Sequence, residues 1–300
     1  MLVLLENLSV EHATINTHNY KLMRQYHLCI LVGLLFLVAF SGCNSGQQQN
    51  HKEETVSDAI EISDDNPAMD GFNEVASDSK AIEIADEVMQ AMGGRNNWDA
   101  TRFIVWEFFG RRKLYWDKWT GNVRVESLTD DFKVLLNVHE MTGKVFRDSS
   151  EITQPDSLAK YVQIGKNIWI NDSYWLVMPF KLKDSGVTLK YTREDTTQVG
   201  ALSDVLTLTF EEVGVTPQNK YEVFVDKNSR LITQWSFFSN ANDDSARFVT
   251  PWADYNKYGS IMLSGNRGRG SLNGITVLDS MPESVFSSFE AVDMNSLKRL

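Results

Sequence analysis

Cysteine is nearly missing: the 300-residue chain has two, Cys29 and Cys43, both within its first fifty residues. Everything beyond Cys43 therefore lacks a thiol, which excludes a disulfide framework or a cysteine-ligated metal there. Histidine is almost as thin. Of five, His12, His18, His27 and His51 come early, and only His139 lies further on. A Ser-His-Asp relay would have to use it, yet Val138-His139-Glu140-Met141-Thr142-Gly143 reads as a strand end entering a turn, with a solvated histidine. One imidazole plus carboxylates is a poor zinc set, so no metal is expected, nor any other cofactor. No phosphate loop is present either. The nearest string, Gly265 to Gly274, misses Gly-x-Gly-x-x-Gly and leads into a strand-like run instead of a helix. It reads as a flexible loop whose Arg267 and Arg269 serve solubility, with lipid phosphate or an acidic partner as the alternative. Residues 80–300 carry 26 bases against 29 acids with no basic stripe, so a nucleic-acid partner is not expected. Paired-carboxylate catalysis needs two acids about 5–9.5 Å apart. Glu107, Asp117 and Asp226 are the residues to check, but only their position among aromatics marks them. A non-enzyme is expected.

Long apolar runs are also lacking. Residues 28–40 form the longest, thirteen residues, where a spanning helix needs about 20. The run fits the core of a signal peptide, with Lys21 and Arg24 as its positive start. It breaks into Phe40-Ser41-Gly42-Cys43, which resembles the lipobox of bacterial lipoproteins; the alternative is a short buried helix with an incidental cysteine. The expected organisation is a signal segment over 1–42, with Met23 as the true start, and a lipid-carrying Cys43 that anchors the chain to a membrane, palmitate being one such acyl group. Asn44 stands where some bacteria place an inner-membrane retention Asp, which points to the outer membrane of a cell envelope. Residues 44–79 hold nine acids and one base. Such a stretch buries too little surface to offset the entropy of ordering, so 43–79 reads as an acidic tether.

What is abundant lies in residues 80–300. Ile82, Ala85, Val88, Met89 and Met92 recur at helical spacing, with Ser77 or Ser79 as cap and Gly93-Gly94 as stop. Aromatic and β-branched runs then follow: 103–109, 113–117, 123–128, 132–137, 144–147, 187–193, 205–212, 221–225, 231–238, 247–252, 261–264 and 275–278. Thr120-Gly121-Asn122 and Asp226–Arg230 read as turns between neighbours. Residues 157–170 fit a helix from Ser157 or a strand through Ile168-Trp169-Ile170. The fold class is mainly β (α+β): a curled antiparallel sheet or incomplete barrel of about eleven strands with helices against its concave face. Both faces of 103–109 are apolar, so each needs a cover; helix 80–92 supplies one, and a second layer or a ligand the other. All eight tryptophans fall in this region.

A lipobox, a helix and many curling strands resemble the lipoprotein-carrier superfamily of LolA and LolB. The strings Met92-Gly93-Gly94 with Trp98, Trp106–Arg112, Tyr174–Leu182 and Tyr221–Trp235 look similar to a family of uncharacterised lipoproteins from diderm bacteria. The likeness to the carriers is architectural, so no carrier residue transfers. It implies an unclosed barrel with an apolar pocket for acyl chains. The expected function is a membrane-anchored lipoprotein that binds a lipid or other hydrophobic ligand, lined by Trp106, Phe108, Trp116, Trp175, Trp235 and Phe237. The alternative is a structural or interaction lipoprotein with a solid core and an unknown protein partner.

Overall fold

The computed structural model describes residues 66–297. The expected signal segment, Met23, Cys43 and the acidic stretch through residue 65 lie outside the described residues. The chain opens with helices α1 (Ser79–Ala91) and α2 (Arg95–Ala100). Strands β1 (Phe103–Phe108), β2 (Arg112–Asp117), β3 (Asn122–Ser127), β4 (Lys133–Asn137), β5 (Thr142–Arg147) and β6 (Ser150–Glu151) follow. Helix α3 (Pro155–Val177) runs into a 3₁₀ turn, Met178–Lys181. Then come β7 (Val187–Thr196), β8 (Leu202–Phe210), β9 (Lys220–Asp226), β10 (Ile232–Phe238) and β11 (Phe248–Pro251). Strands β12 (Ala253–Tyr258), β13 (Ile261–Asn266) and β14 (Leu272–Leu278) precede a short α4 (Ser284–Ser287).

The strands form three antiparallel sheets. A seven-stranded sheet has the order β14-β1-β2-β3-β4-β5-β6, a five-stranded sheet the order β11-β10-β9-β8-β7, and β12 pairs with β13. Between β13 and β14 there is a single bridge, Asn266 to Ser271, so the barrel is incomplete. This is the mainly β, unclosed architecture that the strand pattern predicts. One apolar core runs through both large sheets and takes in α1 (Ile84, Val88, Met89), β1 (Ile104, Trp106, Phe108), α3 (Val162, Leu176, Val177) and β9–β10 (Val223, Trp235). Each buried indole removes roughly 150–250 Å² from water, about 4–6 kcal/mol of hydrophobic stabilisation before entropy is charged.

Helix α3 packs on β3, β4, β5 and β13. Gly165 permits this close approach: a Cβ there would sit 2.8 Å from Val134 Cγ1. Helix α1 joins the same core but packs chiefly on β7 and the 3₁₀ turn. The outer face of β1 is covered by the C-terminal segment: Phe103, Val105 and Tyr115 pack with Leu278, Val285 and Leu297 in a second, smaller core. That segment, and no ligand, is the second layer that the two-sided apolar strand requires.

Several expectations need correction. Of the two alternatives for residues 157–170 the helix holds, as part of a 23-residue helix; Ile168-Trp169-Ile170 mimics a strand because α3 is half-buried on more than one side. Among the described residues there are fourteen strands. The additional β6 is two residues long, and β12 is hidden in the polar run Ala253-Asp254-Tyr255-Asn256-Lys257-Tyr258. The fold also begins ahead of residue 80. The Asn66 side chain donates to Asp86 at 2.7 Å, and the Met69, Asn73 and Asp78 amides donate to the carbonyls of Lys183, Val187 and Leu189. These bonds give residues 66–79 partners that their acidic composition does not reveal. Finally, neither Ser77 nor Ser79 caps α1. The N-cap is Asp78, without a side-chain cap bond; its carboxylate accepts from the Tyr191 amide and Lys190, while the Ser77 hydroxyl donates to the Asn73 carbonyl.

Candidate functional site

The C-terminal end of α3 is wedged into aromatic side chains from both large sheets. On the five-stranded sheet, register places Tyr221, Phe237 and Phe248 directly opposite one another across β9, β10 and β11. Their rings form one cross-strand row, with centroids 5.7 Å and 4.9 Å apart; such pairs each contribute roughly 0.2–1 kcal/mol. Trp235, two residues before Phe237 and so on the same face, lies 4.8 Å from Tyr221. Trp175 of α3 rests on this wall, 4.5 Å from Trp235 and stacked on Phe248 at 6.1 Å. Tyr174 meets Phe210 at 6.3 Å and Tyr221 at 5.7 Å.

From the other sheet, Phe108 and Phe109 approach Trp175 at 6.5 and 5.4 Å. Phe109 has φ 50°, a left-handed conformation that is uncommon for a bulky residue. Packing on Phe108 and Trp175 offsets its cost, and Gly270 leaves room for the ring, since a Cβ there would fall 2.8 Å from Phe109. The wall opens at its rim. Phe248 is 38 % exposed, and Phe109, Trp175, Tyr221 and Phe237 are half-buried.

Polar groups inside this greasy region are few and specific. Arg112 of β2 grips Asp172 of α3 with two bonds of 2.7 and 3.0 Å. Burial pushes the Asp172 carboxyl above its ordinary value despite the guanidinium. Arg267 donates to the Trp175 carbonyl at 2.7 Å, satisfying one of the carbonyls that a helix C-terminus leaves open. The Tyr174 hydroxyl and the Trp235 indole N–H are buried without a partner; burial drives the Tyr174 phenol well above its usual range.

Of the six ligand-lining candidates, Phe108, Trp175, Trp235 and Phe237 join one chain of ring contacts. Trp116 lies in a separate cluster, 5.5 Å from Trp169 and 6.5 Å from Trp98. Trp106 is fully buried in the core. The sequence reading misses Phe109, Tyr174, Phe210, Tyr221, Phe248 and Arg267. The equal inward placement of Tyr221 and Phe237 is visible in alternation, but not the register that aligns them. Arg267 is only 3 % exposed, which overturns its reading as a solubility residue: its loop is the turn between β13 and β14 and folds back onto the helix end.

The acid candidates are not brought together, and each serves local structure. Asp117 pairs with Arg102 at 2.8 Å and accepts from the Trp119 amide. Glu107 lies 3.8 Å from Lys113, and Asp226 organises its turn by accepting from the Asn228 and Ser229 amides. His139 is exposed in the turn after β4. Among the described residues no three His, Cys, Asp or Glu side chains converge as a metal site would need, and no helix is long and apolar enough to cross a membrane. Two depressions stand out, and neither follows the aromatic wall. One of about 10 Å³ lies by Asn66 and Phe180; an open one of about 510 Å³ is lined by polar groups of residues 254–275.

An unclosed antiparallel clasp with a helix in its mouth and an aromatic lining defines the structural class. No protein-family model matches the chain, and no curated protein matches it. Among solved structures the chain is similar to a DUF1329 family protein from Desulfovibrio piger, at 12 % identity and TM-score 0.42, over 70 % of this chain and 99 % of that one. It is similar to a LolA superfamily protein from Nitrosomonas europaea at 12 % identity and TM-score 0.37, over 69 % of this chain and 96 % of the other. It is also similar to MucB, solved in complex with MucA, at 13 % identity and TM-score 0.22, over 73 % and 62 %. The LolA superfamily, which the arrangement of helix and strands resembles, is named in one of these matches.

Proposed function

We propose that this chain is a lipid-anchored cell-envelope protein, tethered to the outer membrane through Cys43, that holds an apolar ligand against the aromatic wall beneath the end of α3. It is a binding module, not a catalyst. The observation that carries this reading is the wall itself: a cross-strand row of Tyr221, Phe237 and Phe248, joined through Trp235 to Trp175, and left partly open to solvent at its rim. A core needs rings, but a row that ends half-buried, with Phe248 exposed at its rim, offers a surface that an apolar partner can cover. The lipobox at Phe40–Cys43 supports the anchor, and the structural employment of Glu107, Asp117 and Asp226 supports a non-catalytic role. The two unpartnered donors at Tyr174 and Trp235 favour a ligand with at least one acceptor atom. The test is native mass spectrometry of the detergent-free mature chain carrying Cys43→Ser, with fatty acid or phospholipid titrated against tryptophan fluorescence. Bound mass and a saturable fluorescence change are expected. A clean apo mass with no change in emission would remove the ligand.

A second reading has its own support. Tyr174 and Trp175 of α3 pack directly on the rings of the wall, and the larger of the two depressions is polar and lies elsewhere. A solid-core interaction lipoprotein would look the same until challenged with ligand, so the same titration separates the two.

A further inference from the structure

Eight buried side-chain nitrogen or oxygen atoms of the described residues have no hydrogen-bond partner, and four belong to neighbours around one indole. They are Trp252 Nε1, Trp235 Nε1, Arg267 Nε and Thr233 Oγ1. The guanidinium carbon of Arg267 sits 3.5 Å over the Trp252 ring. Trp235 and Trp252 have centroids 5.7 Å apart, and the Trp252 amide donates to the Thr233 carbonyl at 2.9 Å. Trp252, Trp235 and Arg267 are 0, 2 and 3 % exposed. Three of the four atoms can only donate, and the fourth is a hydroxyl that can.

The charge is as unusual as the hydrogen bonding. Arg267 is a buried cation whose terminal nitrogens reach only neutral acceptors: Ser264 Oγ and the carbonyls of Asn266, Trp175 and Ser264. Buried charges are ordinarily paired, and buried donors ordinarily satisfied. Burial pushes this guanidinium down to about 9, against a smaller opposing pull from the Tyr255 phenol. Water would answer the hydrogen bonds but leave the charge; an anionic oxygen answers both. Trp235 belongs to this donor cluster and to the aromatic wall at once, so an occupant satisfying the first is placed to extend along the second.

We propose that the donors around Trp252 seat the anionic head of an amphiphile, a carboxylate or a phosphate ester, whose hydrocarbon lies along Trp235, Tyr221, Phe237 and Phe248. This rests on the apolar-ligand reading above and names the chemistry of that ligand. Laurate, dodecyl phosphate and dodecanol share one tail and differ in the head, so they separate the two claims. Each is titrated below its aggregation limit into the mature Cys43→Ser chain. The expected result is that at least one anion binds about tenfold or more tightly than dodecanol, and the stronger of the two identifies the head as carboxylate or phosphate. Arg267→Gln should erase that preference, bringing the affinity of the anion down to about that of dodecanol in the same variant. Trp252→Phe, which keeps a ring and removes one donor, should weaken the anion severalfold and serves if Arg267→Gln fails to fold. Equal binding of all three overturns the anion seat while the apolar ligand stands, and marks the donors as a buried-water site. No binding by any of the three overturns both.

Discussion

Asp172 has no exposed surface, and it sits on helix α3. Its bidentate partner Arg112 comes from β2, so the pair fixes both the height and the rotation of α3 over the sheet. Breaking a buried pair by removing one member leaves the other unpaired, which typically costs 3–5 kcal/mol, whereas replacing both with apolar groups is often neutral. Arg112 keeps 21 % of its side chain exposed, so Asp172→Asn is expected to cost about 3 kcal/mol, the low end of that range. Arg112→Met with Asp172→Leu should recover most of the loss in a urea melt; a double variant as unstable as the single one would mean that the pair contributes more than complementarity. A different pH signature belongs to Asp117. Burial works to raise its carboxyl, but the Arg102 guanidinium, the Thr120 hydroxyl and the Trp119 amide outweigh it and hold it below the ordinary value. A depressed carboxyl binds protons more weakly in the folded state than in the unfolded one. Its stabilisation is therefore complete above the unfolded value, about 3.9, and is lost as pH falls through the folded one. Asp117→Asn should flatten the acid limb of the urea midpoint plotted against pH. Because Arg102 is 36 % exposed, the loss at neutral pH should stay near 1 kcal/mol. An acid limb of unchanged slope would assign the pH dependence to other carboxylates.

At the scale of elements, the C-terminal segment behaves as a strap on the outer face of the seven-stranded sheet. Arg124 of β3, fully buried, pairs with Glu126 and donates to the carbonyls of Val285, Ser288 and Glu290, and Lys133 donates to Phe289. Arg124→Ala would leave those carbonyls without their donor, at about 1–3 kcal/mol for each one that stays buried. The strap can escape that cost by lifting. Limited proteolysis should therefore cut within residues 280–297 in the variant, and hydrogen exchange should rise at Phe103, Val105 and Tyr115, while β9 and β10 stay protected. Cleavage no faster than in the parent protein would show that the small core under the strap holds it alone. The strands beneath are legible in the sequence because aromatic and β-branched runs such as Phe103–Phe108 and Ile232–Phe238 alternate or stay apolar between turn residues. The strap is not, because Ser284–Ser287 and its flanks carry no period; only the demand of strand 103–109 for two covers hints at it. The candidate site is legible by half. Trp175, Trp235 and Phe237 stand out by type, whereas Tyr221 and Phe248 join them through strand register. Arg267, read as a solvated loop residue beside Arg269, is buried because the turn after β13 returns to the helix end, a long-range contact that local composition does not encode.

For the molecule as a whole, the rings of the wall are in place but the volume beside them is occupied by α3. A ligand with a hydrocarbon body reaches Tyr221, Phe237 and Phe248 either by displacing the helix end or over the open rim, and the attachments of α3 show where movement can be stopped. At Gly165 the helix lies close against β4: an ideal Cβ there falls 3.3 Å from Val134 Cβ. A disulfide spans about 3.5–4.5 Å between Cβ atoms, so Gly165→Cys with Val134→Cys requires an adjustment of a few tenths of an ångström. The chain beyond Cys43 has no other thiol, so with Cys43→Ser the engineered bond is the only one that can form. The oxidised protein should unfold at a higher urea concentration than its reduced form, because the crosslink lowers the entropy of the unfolded chain. It should also take up laurate more slowly or more weakly, with uptake restored by reductant. Both readouts come from one sample in two redox states, so a variant that folds poorly reveals itself in the reduced control. If the oxidised protein instead binds laurate as fast and as tightly as the reduced one, the helix need not move, and the ligand enters over the exposed rim at Phe248 with α3 as a fixed wall.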